Sequence, residues 1–265
     1  MLGKLVKYEF KATGRLILPL YAVLIGFAII TRMFTGGIDS NRVNPNFFSA
    51  LPGLISMVGY FISMMAVVIG VFIITLQRFY KNLIGDEGYL MHTLPIKTWQ
   101  NILNKLLVAM AWLIISWTVA IISLIIMTYN ATAYGTLRET MQSVFREIGL
   151  NTGIGIEVIA SIIISSAEKL MVFYASFALG QLFKSRKILG SFAGFLVISL
   201  LQSVTSKIFQ RFTQNTALSS AIYNVGYTQK LSQQALTMDI VGNIIWFIIL
   251  FFITNYIMSK KLNLE

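Results

Sequence analysis

FFSALPGLISMVGYFISMMAVVIGVFIITLQ, residues 47–77, contains no charged side chain. The hydrocarbon layer of a bilayer takes about 20 apolar residues to cross as a helix, and this run exceeds that. Pro52 and Gly53 near its start predict that the spanning helix proper covers 52–77. Barrel strands would show alternating segments of roughly ten residues, so the length of the run selects helices over a barrel.

Further apolar runs lie on both sides, and the predicted spans are 16–34, 52–77, 106–129, 154–182, 188–204 and 240–258. The first is short, with Arg15 and Arg32 placed to snorkel at its ends. It ends in Thr31, Arg32, Met33 and Phe34 rather than in the small residues of a cleavage site, which reads as a retained first span. The expected fold class is therefore all-α integral membrane, a single domain over 1–265 with about six spans. Composition agrees: 56% of residues are hydrophobic and 12% charged, too apolar for a chain that must cover itself with polar groups in water.

The formal charge of +11 is spread between the apolar runs instead of forming one dense patch. That is the pattern of the positive-inside rule and not of a nucleic-acid interface, so no nucleic-acid partner is expected. Lys4, Lys7, Lys11, Arg15, Arg78, Lys81, Lys97, Lys105, Lys184, Arg186, Lys187, Lys260 and Lys261 fall on one side. The other side has fewer cations in longer connections, accompanied by Asp39, Glu139, Glu147 and Asp239. The denser side is assigned to the cytoplasm, together with both termini. The chain has no cysteine, which excludes a disulfide framework and a thiol nucleophile.

Residues 1–15 are amphipathic: Lys4, Lys7, Lys11 and Arg15 share one helical face, and Leu2, Leu5, Val6 and Phe10 the other. An interfacial helix in contact with membrane lipids is expected there. Glu9 projects from the apolar side, reaching either water or a cation. The connections 130–153 and 205–238 exceed ordinary turns; the second is expected to hold short external helices, with Ile208, Phe209 and Phe212 as their apolar side.

The cytoplasmic segment 78–105 carries most information. Gly85 and Gly88 bracket Asp86 and Glu87, closing span two and opening a short helix whose first turn is acidic. Tyr89, Leu90, Met91 and Leu94 then set large apolar groups outside the membrane, and Pro95 stops the segment. Such a knob either meets a protein partner or rests on the bilayer surface. His92, the sole histidine, lacks neighbouring carboxylates for a metal site and falls within the same surface.

GDEGYLMHTLP at 85–95, the opening KLVKYEFKATGR at 4–15 and the six-span layout resemble the permease subunits of ABC-2 type transporters of Gram-positive bacteria. The resemblance implies a bacterial plasma-membrane exporter of peptides, lipids or other hydrophobic or antimicrobial compounds. It implies that 85–95 is a coupling helix, with Tyr89, Leu90, Met91, His92, Leu94 and Pro95 docking on an ABC ATP-binding subunit and Asp86 and Glu87 capping or pairing there. It further implies a second permease copy or a related permease as partner. The chain contains no G-x-x-x-x-G-K-[ST] loop, so it is not expected to be an enzyme; ATP and Mg belong to the partner.

Span four holds Glu157, Glu168 and Lys169, and charges at membrane depth must face protein or water. Helical spacing brings Glu157, Ser161, Ser165 and Glu168 close to one face. The stripe either lines a translocation path or subunit interface, or makes structural contacts to other spans. The same groups suit proton or ion relays in a secondary transporter, and a non-transporting scaffold or sensor subunit is the third class. Gly180, Gly190, Ser191, Ala193 and Gly194 are small enough for close helix packing.

Overall fold

The structure, a computed structural model, describes residues 2–35, 47–85, 97–128, 135, 138–139, 142–143, 152–183, 186–218 and 227–260. It contains six long helices and, among the described residues, no strand. They are α1 (Leu2–Thr35), α2 (Phe47–Leu83), α3 (Thr98–Thr128), α4 (Thr152–Gly180), α5 (Lys187–Leu218) and α6 (Tyr227–Lys260). Five are long and apolar enough to cross a membrane, all except α4. The described residues are thus helical and of multi-pass membrane character, and of the six expected spans the one at 154–182, α4 with Glu157, Glu168 and Lys169, is not among the five.

Helix boundaries differ from the expected ones in an informative way. The interfacial segment and the first span are one continuous helix that runs through Gly14, packed against Trp112, and through Pro19. Helix α2 begins before Pro52, which lies inside it. The connection 205–238 is largely helical: α5 continues through Leu218 and α6 starts at Tyr227, in place of separate short helices. The C-terminus of α2 closes on one carbonyl, with the amides of Ile84 and Gly85 both donating to Tyr80 O at 2.9 and 2.8 Å. Here Gly85 ends the helix, as expected from its position.

The chain forms two compact units. The first comprises Met1–Thr75 and Leu107–Ser143. Its core joins Ile17, Tyr21, Leu24 and Ala28 of α1, spaced along one helical face, to Tyr60, Val67 and Val71 of α2 and to Val108 and Trp112 of α3. Phe10 stacks on Trp112 with ring centroids 4.4 Å apart, so the apolar side of the N-terminal segment is packed on protein while Lys4, Lys7, Lys11 and Arg15 stay exposed. Tyrosine hydroxyls that cross this core are satisfied by serines: Tyr21 Oη lies 2.7 Å from Ser116 Oγ, and Tyr60 Oη 2.9 Å from Ser123 Oγ.

The second unit comprises Leu76–Leu106 and Val144–Glu265. Helix α4 lies against both α5 and α6, which touch each other less extensively. Its buried face, Leu170, Met171, Tyr174, Ala175 and Ala178, has the helical spacing of a core stripe. The end of α2 belongs to this unit: Phe79 stacks on Tyr174 at 3.7 Å between ring centroids, and Tyr80 meets Phe177 edge-on at 5.5 Å. The small residues at the α4–α5 turn act as expected. A Cβ on Gly180 would stand 2.6 Å from Lys187 O, and Gly190 brings Phe183 against its own backbone.

Candidate functional site

Two charged side chains are buried among the described residues, Lys105 of α3 and Glu168, and the second forms a polar centre between α4 and α5. Glu168 of α4 is 1% exposed. Its Oε1 accepts a hydrogen bond from Nε2 of Gln202 on α5. Its Oε2 lies 3.1 Å from Lys169 Nζ, an ion pair whose angle falls outside hydrogen-bonding geometry. A buried carboxylate needs such partners, because desolvation otherwise costs several kcal/mol.

Depth follows from both helices. Glu168 is twelve residues before the end of α4, roughly 18 Å along the axis. Gln202 is fifteen residues after the start of α5, roughly 22 Å, and lies within the apolar span Lys187–Ile208. The two positions agree because Gly180 and Ser191 bring the helices together at the turn.

Of the predicted stripe, the structure brings Glu168 and Lys169 together and leaves Glu157 some 16 Å further along α4. Glu157 and Ser161 are half-buried. Ser165 and the neighbouring Ser166 return their hydroxyl hydrogens to Ile162 O, at 3.1 and 2.7 Å. Lys169 does not share the buried azimuth: its side chain is 63% exposed. Adjacent helical residues diverge by about 100°, which is why one turns inward and the other out.

Gln202 is the partner that sequence reasoning missed. It is the sole amide in 188–204, and Ser199, Gln202, Ser203 and Ser206 recur at helical spacing on α5. Ser203 and Ser206 are exposed, Ser199 and Gln202 half-exposed. Together with Ser165, Ser166 and Lys169 they make a polar face across α4 and α5, joined at its inner edge by the Glu168–Gln202 hydrogen bond.

Exchange of Glu168 for glutamine keeps an acceptor for Gln202 and removes only a pairing with a largely exposed lysine. Glu168→Gln is expected to fold with a stability change under about 1 kcal/mol, whereas Glu168→Leu, which strands the Gln202 amide, loses about 1–3 kcal/mol. Thermal unfolding in detergent compares the two. If the polar face carries cargo, Glu168→Gln alters transport with assembly intact; loss of folded protein in Glu168→Gln instead marks a structural role.

The predicted coupling residues Asp86, Glu87, Tyr89, Leu90, Met91, His92, Leu94 and Pro95 lie outside the described residues. What is described is their frame: α2 ends just before them and α3 begins just after, at Thr98. Compared with known proteins, the chain matches no family model, no curated protein and no solved structure.

Proposed function

We propose that this chain is the membrane-spanning subunit of an ATP-driven exporter of the ABC-2 type. Two such subunits, identical or related, pair around a pathway, and a separate ABC subunit binds ATP and Mg. The observation that carries the reading is the sequence GDEGYLMHTLP at 85–95, acidic and then largely apolar, between two long apolar helices. The five span-length helices and the buried carboxylate with its polar face support a transport role. The cargo is a peptide, a lipid or another hydrophobic compound.

In this mechanism the partner ATPase closes on ATP and displaces the docked 85–95 segment. Phe79 lies six residues ahead of that segment and stacks on Tyr174 of α4, with Tyr80 against Phe177 one turn further along. Tyr174 is six residues beyond Glu168, about 9 Å along the same helix. Displacement of the α2 end therefore reaches α4 through two aromatic contacts and shifts the surface that holds Glu168 and Gln202. Both rings are rigid and packed, which favours transmission of a movement over its absorption.

The test is extraction of the chain from its native membrane, with mass spectrometry and an ATPase assay on the eluate. An ATP-binding subunit is expected to copurify, and Leu90→Asp with Leu94→Asp is expected to release most of it while the chain itself stays folded. Retention of the ATPase and unchanged transport in that double variant sinks the docking role. A chain recovered alone, with transport indifferent to ATP, selects a secondary transporter in which Glu157, Glu168 and Lys169 relay ions.

A further inference from the structure

Lys169 combines exposure with depth, and a charge so placed needs compensation from water or from a ligand. Its side chain is 63% exposed, yet it sits eleven residues inside the end of α4, about 17 Å along the axis. The adjacent Glu168 bonds a residue within the α5 span, so this depth does not depend on the apolarity of α4 itself. A lysine at that distance from either end of the helix does not reach the headgroups by extending its stem. An ammonium facing hydrocarbon is costly, so the surface around it is covered by water or by a ligand that carries compensating charge.

The Glu168 carboxylate does not supply the full answer. It is turned inward, almost wholly buried and served on its other oxygen by Gln202. Its contact with Nζ is an ion pair outside hydrogen-bonding geometry, and Lys169 makes no hydrogen bond among the described residues. Beyond this ion pair, the ammonium has no hydrogen-bond acceptor among the described residues, and its donors on the exposed side are open to a ligand. Ser165 and Ser166, one turn before Lys169, point their hydroxyl hydrogens at Ile162 O and so offer lone pairs to an incoming donor or water. Ser203 and Ser206 extend the same polar face on α5, and Ile162, Leu196 and Leu200 are exposed apolar neighbours on these two helices.

From this we infer that the α4–α5 face is a binding site for the anionic head of an amphiphile, a carboxylate or phosphate group carried on an apolar body, with Lys169 as its counter-ion. The inference rests on the reading of this chain as a transporter subunit and names the class of its cargo. Glu168 and Gln202 are positioning residues: the buried carboxylate draws the ammonium inward off lipid when the site is empty, and releases it without leaving the helix when an anion arrives. Hydrogen bonding of the ligand to the ammonium is charge-assisted and takes place at low dielectric, where it is strongest.

The experiment uses the full chain in phosphatidylcholine nanodiscs, titrated by thermophoresis with dodecyl phosphate and separately with dodecylphosphocholine. The wild-type chain is expected to bind the phosphate roughly ten- to a hundredfold more tightly, the range for a hydrogen bond to a charged group. Lys169→Met removes the preference and Lys169→Arg retains it. The pair Glu168→Gln with Lys169→Met, which leaves no unpaired buried charge, loses the preference while keeping its elution profile and unfolding temperature. Equal binding of both amphiphiles by the wild-type chain, or a preference that survives Lys169→Met, overturns the site.

A second arm repeats the titration in nanodiscs containing phosphatidylglycerol. Suppressed dodecyl phosphate binding identifies a bilayer headgroup as the occupant; undiminished binding identifies an amphiphile arriving from outside the bilayer, and either upholds the anion site. No ATPase is needed, so intact binding in a chain that recruits no ATP-binding subunit defeats the exporter reading alone.

Discussion

Gly180→Val is expected to lower the unfolding temperature of the protein and broaden its elution peak. A Cβ at this position would stand 2.6 Å from Lys187 O and 2.8 Å from the backbone nitrogen of Ser191, and neither is the free end of a flexible side chain. The helices must separate, and overpacking of this kind costs about 1–3 kcal/mol for an added methyl-sized group, more for a branched one. The consequence extends to the site. Separation at the turn displaces α5 against α4 at the level of Glu168, whose acceptor then loses Gln202. A lower unfolding temperature and a broadened elution peak measure the first effect. Failure of Gln202→Ala to destabilise the Gly180→Val background, while it destabilises the parent, measures the second. Gly242→Ala is the control, since a Cβ there meets nothing within 4 Å; replacement of a helical glycine at an open position gains about 0.5–1 kcal/mol. Unfolding temperatures that move together in the two variants defeat the close-packing account of Gly180.

Trp112→Ala is expected to give the largest loss of stability among core substitutions in the first unit, about 3–5 kcal/mol. The indole is 3% exposed, stacks on Phe10 and closes against Gly14, where an added Cβ would come within 3.1 Å of its ring. It therefore holds the charged N-terminal half of α1 onto α3. Trp112→Phe separates two contributions. The smaller ring surrenders part of this packing, but it also removes a buried Nε1–H that has no acceptor among the described residues, and an unsatisfied buried donor costs about 1–3 kcal/mol. The phenylalanine variant is expected to lose less than about 1.5 kcal/mol, read from thermal unfolding. Proteolysis at Lys4, Lys7 and Lys11 supplies the second reading: cleavage accelerates in Trp112→Ala and is nearly unchanged in Trp112→Phe.

Both substitutions act where helices meet, and such meetings divide what a linear chain declares from what it conceals. Residues 47–77 declared themselves: an uncharged run of that length has no stable alternative to a helix in apolar surroundings, and the same reasoning located the other long apolar stretches. Gly180 and Gly190 were legible as packing positions because absence of a side chain has one common structural use between apolar helices. Glu168 was legible as a residue under constraint, since a carboxylate in an apolar run must be compensated. Its partner was not. Gln202 is 34 residues away on another helix, and which side chain meets which across two helices depends on their crossing and axial register, quantities that hydropathy and periodicity do not contain.

Lys169 illustrates the same division at adjacent positions. In sequence it is simply the other half of a Glu–Lys pair; in the structure its neighbour is buried and it is exposed. The packing of the N-terminal half of α1 is likewise made by Trp112, contributed from the third helix. Residue identity alone set the membrane class, the helical periodicity and the places where charge or small size required an explanation. Tertiary packing decided which groups supply that explanation, because a hydrogen bond, an ion pair and a close helix contact depend on distances between residues that only the folded chain brings together.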